Sequence, residues 1–139
     1  MNRLLSILSL FVLLTACETE SNDPLDGNSL YGTWLLSDVL FDPGDGSGIF
    51  MPRDSGEELT LHPNGTLVAN WDPCRLNGPV GEENKGKYLE TGTRRFELLC
   101  ATQENLFAEG VLEDGFLLLY YPCTEPCVYR FYKTADLRE

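Results

Sequence analysis

The amino-acid sequence predicts an all-β protein whose folded part is a small antiparallel up-and-down β-barrel of seven or eight strands. Beyond residue 30 there is no amphipathic helix of convincing length, and short apolar stretches are separated by turn sequences at close intervals. An open antiparallel meander would leave unpaired strand edges, and closure into a barrel removes them. These observations together favour a closed or nearly closed barrel.

The strands are predicted in sequential order. GTWLLSDVLF forms the first strand, DPGDGSG ends it as a loop, and a brief extended piece follows around residues 49–51. EELTL and TLVANW form a hairpin at Asn64-Gly65, and GKYLE and RRFELLC form another around Thr91-Gly92-Thr93. NLFAEGVLE then leads into FLLLYY, and VYRFYK is the last strand. Because FLLLYY is apolar on both faces, either both faces are covered or one lines a cavity.

Residues 1–16 have the parts of a secretory signal peptide. Arg3 gives a positive start, an apolar run extends from Leu4 to Leu14, and small residues follow at Thr15 and Ala16. The run is too short for a membrane-spanning helix, which needs about 20 apolar residues. We therefore expect residues 1–16 to be absent from the mature protein.

The sequence Leu14-Thr15-Ala16-Cys17 resembles the bacterial lipobox. The resemblance implies cleavage before Cys17, a diacylglycerol on its thiol and acylation of the new N-terminus, so the membrane is a partner through a lipid anchor. We expect the protein at the bacterial outer membrane. Acidic residues behind Cys17 also resemble the surface-export signal of some Gram-negative lipoproteins, and the periplasmic face and the cell surface both stay open.

Three regions are predicted after the signal peptide. Residues 17–29 carry the lipidated cysteine and a flexible acidic tether, because this stretch has too few apolar residues to offset the entropy lost on ordering. Residues 30–134 form the barrel domain, and residues 135–139 form a C-terminal tail.

The remaining cysteines form an even set of four: Cys74, Cys100, Cys123 and Cys127. In an exported protein such a set predicts two disulfides. Three pairings are possible, and the preferred one is Cys123–Cys127 with Cys74–Cys100, because the turn in CTEPC can bring its two cysteines within bonding range. The alternative is a zinc site, which the C-x₃-C spacing does not favour.

Composition and motifs argue against several functions. The net charge of −12, without a basic cluster, disfavours nucleic acid as a partner. Asp42 and Asp45 could serve a calcium loop, but an EF-hand needs a Glu where this chain has Arg53, so we expect a plain turn and no metal. His62 is the only histidine and lies at a hairpin turn. We therefore predict no catalytic residues, no cofactor and no enzyme activity.

Gly32-Thr33-Trp34 resembles the Gly-x-Trp signature of lipocalins, and Arg130 in the last strand is similar to the lipocalin arginine that packs over that tryptophan. The whole arrangement resembles a group of bacterial lipocalin-like lipoproteins. The resemblance implies a barrel closed at one end by Gly32, Trp34 and Arg130, through a cation–π contact. The chain is shorter than a typical lipocalin, and the Thr-Asp-Tyr run of the second lipocalin signature has no counterpart.

Two functions follow from these observations. The first is binding of a small hydrophobic ligand inside the barrel, in a pocket lined by Trp71, Tyr88, Phe96, Leu98 and Phe116. The second is a barrel without a cavity, which serves as a structural or protein-interaction module with a partner protein of the cell envelope. The resemblance to lipocalins favours ligand binding, whereas the modest length favours a filled barrel.

Overall fold

A computed structural model of the chain describes residues 25–100, 108–124 and 126–137. The predicted signal peptide, Cys17 and the predicted tether up to residue 24 lie outside the described residues. Among the described residues no helix is long and apolar enough to cross a membrane. The described chain forms nine β-strands: β1 Gly32–Phe41, β2 Phe50–Pro52, β3 Glu58–Leu61, β4 Thr66–Ala69, β5 Asn84–Gly92, β6 Arg95–Leu98, β7 Glu109–Glu113, β8 Phe116–Tyr121 and β9 Cys127–Ala135.

Eight of these strands form a closed antiparallel barrel, and β2 is an additional strand. From β3 to β9 each strand pairs with the next, and β9 pairs back onto β1. One edge of β1 is shared, because its first half pairs with β3 and its second half pairs with β2. The predicted all-β, up-and-down barrel is confirmed.

The hairpin turns have the backbone that short antiparallel connections require. Between β7 and β8, Asp114 and Gly115 both have positive φ angles, 50° and 80°. This combination at the two central residues is typical of a type I′ turn, which suits the right-handed twist of paired strands. Between β3 and β4, the side chain of Asn64 accepts a hydrogen bond from the backbone N–H of Thr66 at 3.0 Å. The turn signals in the sequence therefore lie where the chain reverses.

The two ends of the barrel differ. At the end that we call the closed end, β1 begins, β9 ends, and residues 26–30 cross beside Trp34. At the other end, which we call the mouth, the loop of residues 70–83 follows β4 and is joined to the end of β6 by the Cys74–Cys100 disulfide. The second disulfide, Cys123–Cys127, spans the loop between β8 and β9. Both preferred pairings are present, so these four sulfurs are not free thiolates for zinc.

Side chains fill the interior of the barrel. Inward-facing residues from all eight barrel strands form one continuous hydrophobic core. Seven of them have no exposed surface at all: Trp34, Leu59, Leu61, Phe96, Leu117, Leu119 and Phe131. A cavity wide enough for a water molecule would leave the atoms that line it accessible. No water-sized cavity therefore borders these seven side chains, and they form a packed core at the centre of the barrel.

Candidate functional site

The closed end is built around Trp34, which is fully buried. Its indole N–H donates a 2.9 Å hydrogen bond to the backbone carbonyl of Leu30, and the ammonium of Lys133 lies 5.2 Å from the centre of its ring. Gly32 has a φ of 147°, and a side chain there would meet the carbonyl of Ala135 and the Cε of Lys133. Glycine at position 32 therefore lets the first and last strands approach closely enough for Lys133 to cover Trp34.

The prediction that Arg130 packs over Trp34 is wrong. In the ladder between β1 and β9, Trp34 lies opposite Lys133, whereas Arg130 lies opposite Asp38. Arg130 is on the outer surface, where its guanidinium contacts the rings of Phe50 at 4.3 Å and Phe116 at 5.1 Å. The cation–π contact expected at the closed end does exist, but Lys133 makes it.

Lys133 also holds the segment that precedes β1. Its side chain is 3% exposed, and its ammonium donates to the carbonyls of Asp26 at 2.7 Å and Ser29 at 3.0 Å and to the Asp136 carboxylate at 2.6 Å. The other oxygen of Asp136 accepts from the backbone N–H of Asp26 at 2.9 Å. We call this group of bonds the latch. The last residues of the predicted tether are thus held against the barrel.

The residues predicted to line an interior pocket divide into two groups. Trp71, Tyr88, Phe96 and Leu98 face inward and are buried in the core, where Tyr88 packs against Phe96 with ring centres 5.2 Å apart. Burial raises the pKa of Tyr88 to about 12, and its hydroxyl donates to the carbonyl of His62 at 2.6 Å. The prediction that Phe116 faces the interior is wrong, because it lies on the outer surface and is 37% exposed.

A cleft of about 320 Å³ lies at the mouth, between β4, β5, the end of β6 and the loop after Trp71. Its apolar wall includes Leu67, Leu98, Leu99 and Pro73, and Lys85 and Lys87 lie at its rim. Gly86 lies in the wall of the cleft beside Leu67 and has no side chain that would fill the cleft. The cleft borders the core at Leu67 and Leu98, and none of the seven core residues without exposed surface is among its lining residues.

The mouth also carries a buried charged cluster. Glu57 is 1% exposed, pairs with Arg53 at 3.2 Å, and accepts a short hydrogen bond from the hydroxyl of Ser55. The guanidinium of Arg53 lies 5.7 Å from the ring centre of Tyr129 and donates to Asn77 at 2.9 Å. Each member of the cluster has a partner, so it fastens the loop after Trp71 across the mouth.

The outer surface of β8, β9 and β1, together with β2 at the edge of β1, carries a group of aromatic residues and one arginine. We call it the aromatic face: Phe50, Phe116, Tyr120, Arg130 and Tyr132. Phe116, Tyr120 and Tyr132 are 37%, 39% and 42% exposed. Arg130 lies between the two phenylalanine rings and is paired with Asp38 at 2.9 Å. Hydrogen bonds from Ser37 and Arg130 lower the pKa of Asp38, so this pair is charged at neutral pH.

The loop DPGDGSG is held by its own carboxylates. Asp42 accepts hydrogen bonds from the backbone N–H groups of Gly44, Gly46 and Gly48, and Asp45 accepts one from Ser47. These hydrogen bonds hold the loop as a turn. Among the residues that the structure describes, no cluster of His, Cys, Asp and Glu could hold a metal ion.

Comparison of the chain with protein-family models, curated proteins and solved structures gives no match. The interpretation therefore depends on the geometry of the barrel itself. Sequence reasoning missed two elements of that geometry, the latch at Lys133 and the aromatic face. The signal for the aromatic face was present, since FLLLYY and VYRFYK are apolar or aromatic at outward as well as inward positions.

Proposed function

We propose that this chain is a lipid-anchored, lipocalin-like protein of the bacterial outer membrane whose filled barrel is a protein-interaction module. The anchor is Cys17, as the resemblance to the lipobox implies. The observation that supports an interaction module over an interior ligand site is the core, in which seven large side chains have no exposed surface. A ligand cannot enter such an interior without displacing core side chains, at a cost of several kcal/mol.

The aromatic face is the surface that this function would use. Tyrosine, phenylalanine and arginine are enriched at protein interfaces, and tyrosine and arginine are also enriched among the residues that dominate binding energy. Arg130 is already oriented by Phe50, Phe116 and Asp38, so its immobilisation on binding costs little further entropy. The proposed partner is another protein of the cell envelope.

Photo-crosslinking in intact envelopes tests this proposal. A photoreactive benzoylphenylalanine in place of Tyr132 samples the aromatic face, and the same residue in place of Leu89 samples the outer surface of β5. Leu89 is a matched control because it is 56% exposed but lies away from the aromatic face. We expect one discrete adduct from position 132 that Arg130→Ala weakens. No adduct, or the same adducts from both positions, would contradict the proposal.

The cleft at the mouth favours a second candidate function, binding of a small hydrophobic ligand. Its volume of about 320 Å³ lies at the lower end of the range for small-molecule pockets, roughly 300–1,000 Å³. An apolar anionic dye, anilinonaphthalene sulfonate, tests it. If the cleft binds such molecules, Leu99→Glu should reduce the dye fluorescence and Leu89→Glu should not. Equal fluorescence from the two variants would count against a ligand site in the cleft.

A further inference from the structure

We propose that the closed end of the barrel faces the lipid bilayer, and that the mouth with its disulfide-linked loops points away from it. This inference rests on the proposed lipid anchor at Cys17. It depends on two further observations, which are the place where residues 26–29 are bound and the short length of chain that separates them from the anchor.

The latch holds the start of the described chain at the closed end. Asp26 takes part through both backbone groups: its carbonyl accepts from Lys133 at 2.7 Å, and its N–H donates to Asp136 at 2.9 Å. From the turn between β5 and β6, Arg94 donates to the side chain of Asn28 at 2.9 Å. Because the Lys133 side chain is 3% exposed, water competes poorly for these bonds. The folded domain therefore keeps Asp26 at the closed end.

The stretch of chain between Cys17 and Asp26 is short compared with the barrel. Nine residues lead from Cys17 to Asp26. A chain of this length spans at most about 30 Å when fully extended. A flexible coil of nine residues has a mean span of roughly 15–18 Å. The tether between the anchor and the latch therefore cannot reach much beyond the height of a small domain.

The height of the barrel follows from its strands. The strand β1 has 10 residues. At the usual rise this is about 33 Å along the strand, and a tilt near 40° reduces it to about 25 Å along the barrel axis. A domain with its mouth on the bilayer would need an almost fully extended tether running back along its whole side. A domain with its closed end nearest the bilayer leaves the tether relaxed, which conformational entropy favours.

This orientation decides what each surface can reach. The cleft beside Leu99, the Arg53–Glu57 cluster and the Cys123–Cys127 loop lie at the mouth and face the aqueous compartment. The aromatic face is on the side wall, so it would meet partners alongside the domain rather than lipid beneath it.

The chain carries a convenient pair of reporters for a test. It has two tryptophans: Trp34 lies at the closed end, and Trp71 lies in the core where the loop of the mouth begins, with its ring centre 5.8 Å from that of Phe131. The full-length protein is produced with its own leader and reconstituted in phosphatidylcholine vesicles that contain a dansyl-labelled lipid headgroup. Energy transfer to dansyl is then compared for Trp71→Phe, which retains Trp34, for Trp34→Phe, which retains Trp71, and for the unsubstituted chain.

We expect higher transfer from Trp34 than from Trp71. If Trp34→Phe does not fold, Trp71→Phe should still show higher transfer than the unsubstituted chain, whose signal averages both tryptophans. Ten Gly/Ser residues inserted after Ser21 should lower the transfer and reduce the difference. Equal transfer, or higher transfer from Trp71, in protein that floats with the vesicles would overturn the orientation alone. Failure to float would overturn the lipid anchor, and the orientation with it.

Discussion

The ammonium of Lys133 lies 5.2 Å from the centre of the Trp34 ring, and the same ammonium binds the carbonyls of Asp26 and Ser29. One buried cation thus joins the last strand, the tryptophan of the first strand and the segment that enters the barrel. The pairing of β1 with β9 shifts register twice, between Thr33 and Trp34 and again between Leu36 and Asp38. These shifts place Lys133 opposite Trp34.

Replacement of Lys133 by methionine should destabilise the domain strongly. Lys133→Met removes three charged hydrogen bonds, takes the lysine donor from the Ser29 carbonyl, and leaves the Asp26 carbonyl with only the backbone N–H of Ser29 at 3.3 Å. We expect a loss of about 2–4 kcal/mol in the free energy of unfolding, measured by urea denaturation. The matched control is Lys87→Met, since Lys87 is exposed on β5, and it should change stability by less than about 0.5 kcal/mol. Equal effects of the two substitutions would show that the latch does not stabilise the fold.

The latch should also make stability depend on acidic pH. The hydrogen bond from Lys133 holds the pKa of Asp136 below its ordinary value. A carboxylate whose pKa is lower in the folded state stabilises the fold above its unfolded pKa, near about 4, and this stabilisation is lost as the pH falls through the folded pKa. Between about pH 4 and pH 2, the free energy of unfolding should therefore fall less steeply for Asp136→Asn than for the unsubstituted chain.

The control for this pH dependence is Asp54→Asn, because Asp54 is an exposed carboxylate at the other end of the barrel. Its urea unfolding, followed over the same pH range, should parallel that of the unsubstituted chain. Parallel curves for Asp136→Asn as well would mean that Asp136 contributes nothing to acid sensitivity.

A test of the filled interior comes from Gly110 in β7. A methyl group at this position would lie well inside van der Waals contact with the ring of the fully buried Phe96. In a filled core the ring has nowhere to move, so Gly110→Ala should cost about 1–3 kcal/mol or more of stability. The control is Gly92→Ala, since no atom lies within 4 Å of a methyl group there.

A partial rescue would identify the cause of that loss. Phe96→Leu creates space, so the double variant Gly110→Ala/Phe96→Leu should lose less stability than the sum of the two single variants. Strict additivity, or a Gly110→Ala variant as stable as Gly92→Ala, would indicate free volume around Phe96.

The two disulfides should contribute unequally. They close loops with sequence separations of 26 and 4 residues. The chain-entropy relation predicts about 3.5 kcal/mol for Cys74–Cys100 and about 2 kcal/mol for Cys123–Cys127. Thermal and urea unfolding of the two double-alanine variants would measure both values. A larger loss from Cys123→Ala/Cys127→Ala would contradict this order.

The sequence predicted where a strand lies along the chain, but not which of its faces points into the barrel. The strand FLLLYY was predicted with the bounds that β8 has, because turn signals flank an apolar run. The inward face of this strand could not be assigned from the sequence. The alternate residues that start at Phe116 and those that start at Leu117 are equally apolar, so either set could face the core. Only the register with β9 places Leu117 in the core and Phe116 outside.

The candidate sites were harder to predict for the same reason. The Cys123–Cys127 pair followed from local spacing, and the resemblance to lipocalins indicated a cation over Trp34. Which cation could not be deduced, because Arg130 and Lys133 lie three residues apart, on opposite faces of the same strand, and only the pairing of β9 with β1 places Lys133 beside Trp34. A change of register by a single residue moves every side chain to the other face of a strand.

Native mass spectrometry of the full-length protein, after gentle detergent extraction from bacterial membranes, tests the lipid anchor and the filled barrel together. We expect a chain that begins at Cys17, carries the lipid and both disulfides, and retains no small molecule. A stoichiometric apolar molecule that stays bound to the barrel would contradict the filled, protein-binding module and favour a ligand carrier.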